Sequence, residues 1–163
     1  MTIERFILLA VSIVAVISLF YIPKHRKRLA LAGFLAFEAT TWASTNILVQ
    51  TGVISFPVRE FVNATNVGFV QNFIFYPVIF MWFLLLFPEK SPIIAQISHY
   101  IVFISAVVWF IFFISVFTEL ENFVKGTKQT QLVRLYLSFT FQFGLCHLYI
   151  TWFSKKTGLL TGA

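Results

Sequence analysis

The chain has 163 residues, of which 59% are hydrophobic, 19% aromatic and only 11% charged. A soluble domain is about half apolar and about one quarter charged, so a single small water-soluble globule is excluded and lipid is expected to cover much of the apolar surface. The formal net charge of +6 fits membrane topology and anionic headgroups in so apolar a chain, and nucleic acid is not expected as a partner.

Five apolar segments predict helices that cross a bilayer, since a spanning helix needs about 17–25 residues. They cover about 6–22, 29–50, 67–87, 93–117 and 135–153. We therefore predict an all-α fold in which residues 1–163 form one domain, an integral membrane bundle of five transmembrane helices. The first segment is not expected to be a cleavable signal, because its positive cluster follows the apolar run instead of preceding it.

The Lys and Arg residues predict how the bundle sits in the membrane. Seven lie on the side that carries "KHRKR", "PEKSP" and "SKK", and five lie on the other side. By the positive-inside rule, the N-terminus is expected outside and the C-terminus inside. The most closely spaced cations are expected mainly to set this topology and, as a second role, to bind anionic headgroups. They are Lys24, Arg26, Lys27 and Arg28.

Two loops on the outer side are long enough to carry structure of their own. The first, "TGVISFPVREFVNATN", mixes apolar and polar residues and offers Ser55 as a helix cap, with Pro57 in the first turn. This pattern favours a helix over about 56–65 that lies in the headgroup layer, with an irregular loop as the alternative. The second loop, "TELENFVKGTKQTQ", is expected to be simply solvated.

The order of several short motifs resembles a known family. "PVREF" is followed by "AT", by an aromatic-rich run that reaches "YP", and by "FPEK"; the chain opens with "IERFILL" and closes near "YITWFSKK". This pattern resembles an uncharacterised family of small polytopic membrane proteins from spore-forming Bacillus and Clostridium relatives. The resemblance covers most of the chain, is firmest over 57–90, and implies a multi-pass protein of the bacterial cytoplasmic membrane. It implies no catalytic residues, because that family has no assigned activity.

Glu38 is an ionisable side chain near the middle of the second predicted span. A charge at that depth costs about 2.5–3.5 kcal/mol on insertion scales, so the carboxyl must be protonated, paired or in contact with water. Helical geometry places Thr41 and Thr45 on the same face. A stripe of small residues lies nearly opposite, where it would let a neighbouring helix approach closely. The stripe consists of Ala32, Ala36, Thr40 and Ser44.

Partners for this acid are expected on the third and fifth spans, so the second helix is predicted at the centre of the bundle. The predicted intramembrane polar cluster consists of Glu38, Thr41, Thr45, Asn72, Tyr76 and His147. Because Glu38 and His147 lie at similar depths, the sharpest hypothesis is a proton or hydrogen bond shared between them. The alternative is a protonated Glu38 that bonds to Thr41, Thr45 or a backbone carbonyl and serves packing only.

The sequence supports no enzyme class, because it contains no Asp and no motif of a metalloprotease, a nucleophile elbow or a phosphate-binding loop. No cofactor and no metal site are expected. The preferred function is a non-catalytic membrane component that contacts lipids and another membrane protein, or that associates with itself. The alternative is a proton- or ion-conducting transporter or channel that acts as an oligomer through Glu38.

Overall fold

The computed structural model describes residues 2–61 and 63–157, and over these residues the fold is all-α except for one small sheet. Each of the five predicted segments overlaps one α-helix, which confirms the all-α class. A 3₁₀ turn (Lys24–Arg26) leads into the second helix, and a π-helical segment (Val70–Phe75) leads into the third. The helices are α1 (Ile3–Leu19), α2 (Lys27–Gln50), α3 (Tyr76–Leu85), α4 (Ile93–Phe117) and α5 (Lys128–Thr157).

Among the described residues, α4 is the one helix that is long and apolar enough to cross a membrane by itself. The helices α1 and α2 qualify only when they are taken together as one broken span, and a bend of 103° separates them. The reason is that α1 has only 17 residues, while α2 carries hydroxyl and charged side chains among its apolar ones. Only 28% of the most apolar stretch of α4 is buried, so most of that stretch faces the surroundings.

The two loops that were predicted on the outer side pair with each other. Strand β1 (Ile54–Ser55) runs antiparallel to strand β2 (Asn122–Phe123). The predicted helix over 56–65 is wrong, because the described residues of that stretch contain none. The sheet holds the chain extended there, and the Val58 N–H donates to the Glu119 carbonyl at 3.3 Å. We call the end of the bundle that carries this sheet the sheet end.

The second loop is not simply solvated, contrary to the prediction. Leu120 packs with Leu8 of α1 and Ile114 of α4, and Glu121 is only 4% exposed. Pairing of β2 with β1 holds this part of the loop against the bundle, and both side chains are buried as a result.

The core forms where α2 meets α3 and α5. The Phe37 ring of α2 stacks on Phe80 of α3 with centroids 4.4 Å apart and meets Phe143 of α5 edge-on at 5.0 Å. The small-residue stripe of α2 contacts α5, since the Thr40 Oγ1 lies 3.3 Å from the Cys146 Sγ. The helix α2 therefore contacts both α3 and α5.

The prediction that α2 lies at the centre of the bundle is nevertheless wrong. Leu31, Leu35 and Ile47 of α2 are exposed, and α3 is the most buried of the helices.

The entry into α3 departs from a regular α-helix because of Pro77. Proline has no N–H to donate to the carbonyl four residues earlier, and such a gap in the ladder is accommodated by a wider π-helical turn. Here the Tyr76 N–H donates to the Gln71 carbonyl. At the start of this segment the Glu60 carboxylate accepts two backbone N–H groups, from Phe69 at 3.0 Å and from Val70 at 3.2 Å.

Glu60→Ala is expected to lower the free energy of unfolding by about 1–2 kcal/mol, because two N–H groups at a helix start lose a charged acceptor. Denaturant unfolding in detergent micelles, followed by far-ultraviolet circular dichroism, measures the loss. The matched control is Glu119→Ala, which removes an exposed carboxylate from the same end of the bundle. A loss of the same size in both variants would contradict the capping role of Glu60.

Candidate functional site

A small chamber with several polar side chains in a largely apolar wall lies under the sheet, between the ends of α2, α3 and α5. Its volume is about 40 Å³, which leaves room for a few water molecules at about 10–15 Å³ each. Leu48, Ile111 and Phe139 are among the apolar side chains that close it. Its polar lining consists of Thr45, Tyr76, Glu121, Arg134 and Ser138.

Glu121 is held in the chamber wall by Tyr76. The Tyr76 hydroxyl donates to the Glu121 Oε2 at 3.2 Å, and both side chains are almost fully buried. Burial raises the pKa of Glu121 to about 7, while the hydrogen bond from Tyr76 acts in the opposite direction. Glu121 therefore changes its charge near neutral pH, where an ordinary glutamate is fully ionised.

Arg134 brings a permanent positive charge to the same chamber. Its Nη1 is buried and has no hydrogen-bond partner in the described part of the chain. Arg134 and Glu121 line one cavity, which has room for water. The arrangement is suited to holding a proton or a water molecule between β2 and α5.

The structure places the residues of the predicted polar cluster in several separate environments. Thr45 and Tyr76 line the chamber together. Thr41 is buried one turn nearer the N-terminus of α2, where its hydroxyl donates to the Phe37 carbonyl at 2.9 Å. The Glu38 side chain is half-buried, and no residue of the described ranges forms a hydrogen bond or an ion pair with its carboxylate. The Thr41 hydroxyl contacts the backbone carbonyl of Glu38 and not its side chain.

His147 has a different partner from the one hypothesised. Its Nδ1 forms a hydrogen bond with the Tyr100 hydroxyl of α4, and its ring packs edge-on against Phe87 with centroids 4.3 Å apart. The Nδ1 of His147 thus bonds on the α4 side of α5, whereas α2 meets α5 through Thr40 and Cys146. This helix arrangement accounts for the separate environments of His147 and Glu38.

Asn72 lies in the π-helical segment and is fully buried. Its Nδ2 donates to the Gly68 carbonyl at 3.0 Å. Its Oδ1 and both polar atoms of the neighbouring Gln71 side chain have no hydrogen-bond partner within residues 2–61 and 63–157. Asn72 is therefore bonded within its own segment, apart from the chamber.

The cations predicted to set topology lie around the 3₁₀ turn, at the end of the bundle opposite the sheet. The Arg26 Nη1 donates to the Leu85 carbonyl, so Arg26 caps the C-terminus of α3, where a positive charge is favourable. Lys24, Lys27 and Arg28 are exposed and face the surroundings of the protein.

The predicted cluster missed three of the five polar residues of the chamber, Ser138 of α5 and the two charged residues Glu121 and Arg134. Both charged residues stand in or beside a loop that is rich in polar residues, where a charged side chain carries no signal of burial. The one local hint is that each loop contains two adjacent residues typical of strands, Val53 and Ile54 in the first and Phe123 and Val124 in the second. Across the described ranges, no three His, Cys, Asp or Glu side chains converge as metal ligands.

No protein-family model, curated protein or solved structure matches this chain.

Proposed function

We propose that this chain is a multi-pass integral protein of a bacterial cytoplasmic membrane, where it acts as a non-catalytic component, either a partner subunit of a larger assembly or a scaffold. The observation that carries the proposal is the apolar exterior of the helices. Large hydrophobic side chains, whose exposure to water is unfavourable, are exposed on α1, α2, α4 and α5. Val14, Leu31, Ile101 and Leu148 are examples, with exposed fractions of 67%, 60%, 59% and 73%.

The directions of the helices support five crossings. β1 follows α2 and β2 follows α4, and the two strands pair, so α2 and α4 both end at the sheet end. Arg26, just before α2, bonds to Leu85 at the end of α3, so α3 runs the opposite way. The N-terminus of α1 and the C-terminus of α5 thus belong to opposite ends, and α1 is strongly inclined to α2. We assign the end with the exposed cations to the cytoplasm.

The size of the chamber supports a structural role for the chamber itself. Sites for small organic ligands usually occupy about 300–1,000 Å³, whereas this chamber measures about 40 Å³. Its acid and phenol are bonded to each other and hold β2 against the start of α3. The chamber therefore serves best as a polar anchor that fixes the sheet on an otherwise apolar bundle.

Purification from native membranes tests the proposal. A tagged chain is expected to resist carbonate extraction and, after crosslinking in the intact membrane, to elute in fixed stoichiometry with a second membrane protein or with further copies of itself. In a Cys146→Ala background, an impermeant maleimide is expected to label Lys128→Cys on intact cells and Lys90→Cys only after permeabilisation. Elution as an uncrosslinked monomer would contradict the component role.

Two other results would overturn parts of the proposal. Labelling of positions 90 and 128 from the same side of the membrane would contradict the assigned topology. Proton flux in sealed vesicles that is abolished by Glu38→Gln would replace the component role with a conducting one, and Glu119→Gln is the matched control because it removes an exposed carboxylate of the sheet end.

A further inference from the structure

A groove of about 360 Å³ runs between α1 and α3 on the surface of the bundle. Ala10 and Ala15 of α1 leave space there that larger side chains would fill, and Val78 and Trp82 of α3 form the opposite wall. The volume falls within the range of about 300–1,000 Å³ that is typical of ligand sites. The groove is open along the exposed face of α1, where Val14 stands at its rim.

A ligand bound in this groove would contact only apolar atoms of the protein. Two of its lining side chains carry polar atoms, Ser18 and Trp82, and these are bonded to each other: the Trp82 Nε1–H donates to the Ser18 Oγ at 3.1 Å. The Ser18 hydroxyl in turn donates to the Ala15 carbonyl at 2.7 Å. Since neither group is left to bind a ligand, the part of the ligand inside the groove must be apolar.

The end of the groove at Trp82 lies close to exposed cations. Ile22 packs against the same apolar cluster as Trp82, and the chain continues from Ile22 into the 3₁₀ turn. The hydrogen bond from Arg26 to Leu85 fixes this turn beside the end of α3. Lys24 and Lys27 are exposed there, at the level where a lipid in the cytoplasmic leaflet would carry its phosphate.

We propose that the groove binds one acyl chain of an anionic phospholipid whose phosphate contacts Lys24 and Lys27. This inference rests on the proposed function, because the lipid comes from the bilayer that surrounds the helices. The combination of a purely apolar groove and cations at one end fits a molecule with a long hydrocarbon chain and a negative headgroup. A zwitterionic phospholipid matches the groove equally well but not the charges beside it.

Lipid retention by the full chain tests the inference. The chain is reconstituted into nanodiscs that contain phosphatidylglycerol and phosphatidylcholine in equal amounts, and the lipid that stays bound after extraction is identified by mass spectrometry. The natural chain is expected to retain phosphatidylglycerol. Ala10→Phe and Val14→Phe, which fill the groove from its side and from its rim, are expected to abolish retention. Lys24→Gln/Lys27→Gln is expected to lower the preference for phosphatidylglycerol roughly fivefold for each lysine.

Two matched variants control for bulk and charge. Ile13→Phe adds an aromatic ring to the exposed face of α1 outside the groove, and Lys155→Gln/Lys156→Gln removes two charges at the same end of the bundle but on α5. Both are expected to retain lipid as the natural chain does. An equal effect of the two lysine pairs would overturn the inference in favour of diffuse attraction.

The remaining outcomes separate this inference from the proposed function. A chain that enters the nanodisc but shows no preference between the two lipids would overturn the lipid site and leave membrane insertion standing. A dimer that crosslinks through α1 and excludes lipid would also overturn the lipid site. A chain that fails to enter the nanodisc would overturn both.

Discussion

Phe80→Ala is expected to lower the free energy of unfolding by about 3–5 kcal/mol, the usual cost of removing a buried aromatic side chain. The Phe80 ring is fully buried, stacks on Phe37 at 4.4 Å and meets Phe143 edge-on at 5.2 Å. These rings come from α3, α2 and α5, so a single truncation opens a cavity where three helices meet. Unfolding by denaturant in detergent micelles, followed by circular dichroism, measures the change.

Phe141→Ala is the matched control for this truncation. The same ring is removed from α5, but Phe141 is 69% exposed, so no cavity forms and the expected change is about 0.5 kcal/mol or less. Phe80→Leu should fall between the two variants because it refills part of the space. Equal losses in Phe80→Ala and Phe141→Ala would show that the three-ring contact does not hold the helices together.

The helices were predictable because long apolar runs are a local signal that needs no knowledge of distant contacts. The π-helical turn before α3 also has a local cause, since Pro77 lacks the N–H that a regular α-helix would use there. The contact of α2 with α5 followed from small residues at four-residue spacing, among them Ala36 and Thr40. In each case the residues themselves carry the property that decides the structure.

The chamber was not predictable in the same way. Strands β1 and β2 have two residues each, which is too short for alternation of apolar and polar residues to be recognised. Their pairing joins two loops far apart in sequence, and it is this pairing that buries Glu121 beside Tyr76. By contrast, Glu38 was singled out because it stands in an apolar run. Its position in that run does not show which side of α2 packs against other helices.

The natural chain is expected to lose stability as pH rises, and Glu121→Gln is expected to abolish this loss. The pKa of Glu121 is about 7 in the folded protein and 4.5 as its ordinary value. Between these values the folded state binds more protons than the unfolded state, so the free energy of unfolding decreases with rising pH. This contribution of Glu121 to the free energy of unfolding is fully present below about pH 4.5 and is lost above about pH 7. It amounts to about 3 kcal/mol.

Glutamine keeps the shape of the side chain and can still accept from the Tyr76 hydroxyl, but it never carries a charge. At about pH 8 the variant should therefore be more stable than the natural chain by about 3 kcal/mol, and at about pH 5 the two should agree within about 1 kcal/mol. Glu119→Gln, an exposed carboxylate two residues away, should leave the profile unchanged. If the natural chain instead gained stability relative to Glu121→Gln as pH rises, the folded protein would depend on a charged Glu121. The carboxylate would then have to be stabilised by Arg134 across the chamber more strongly than burial destabilises it.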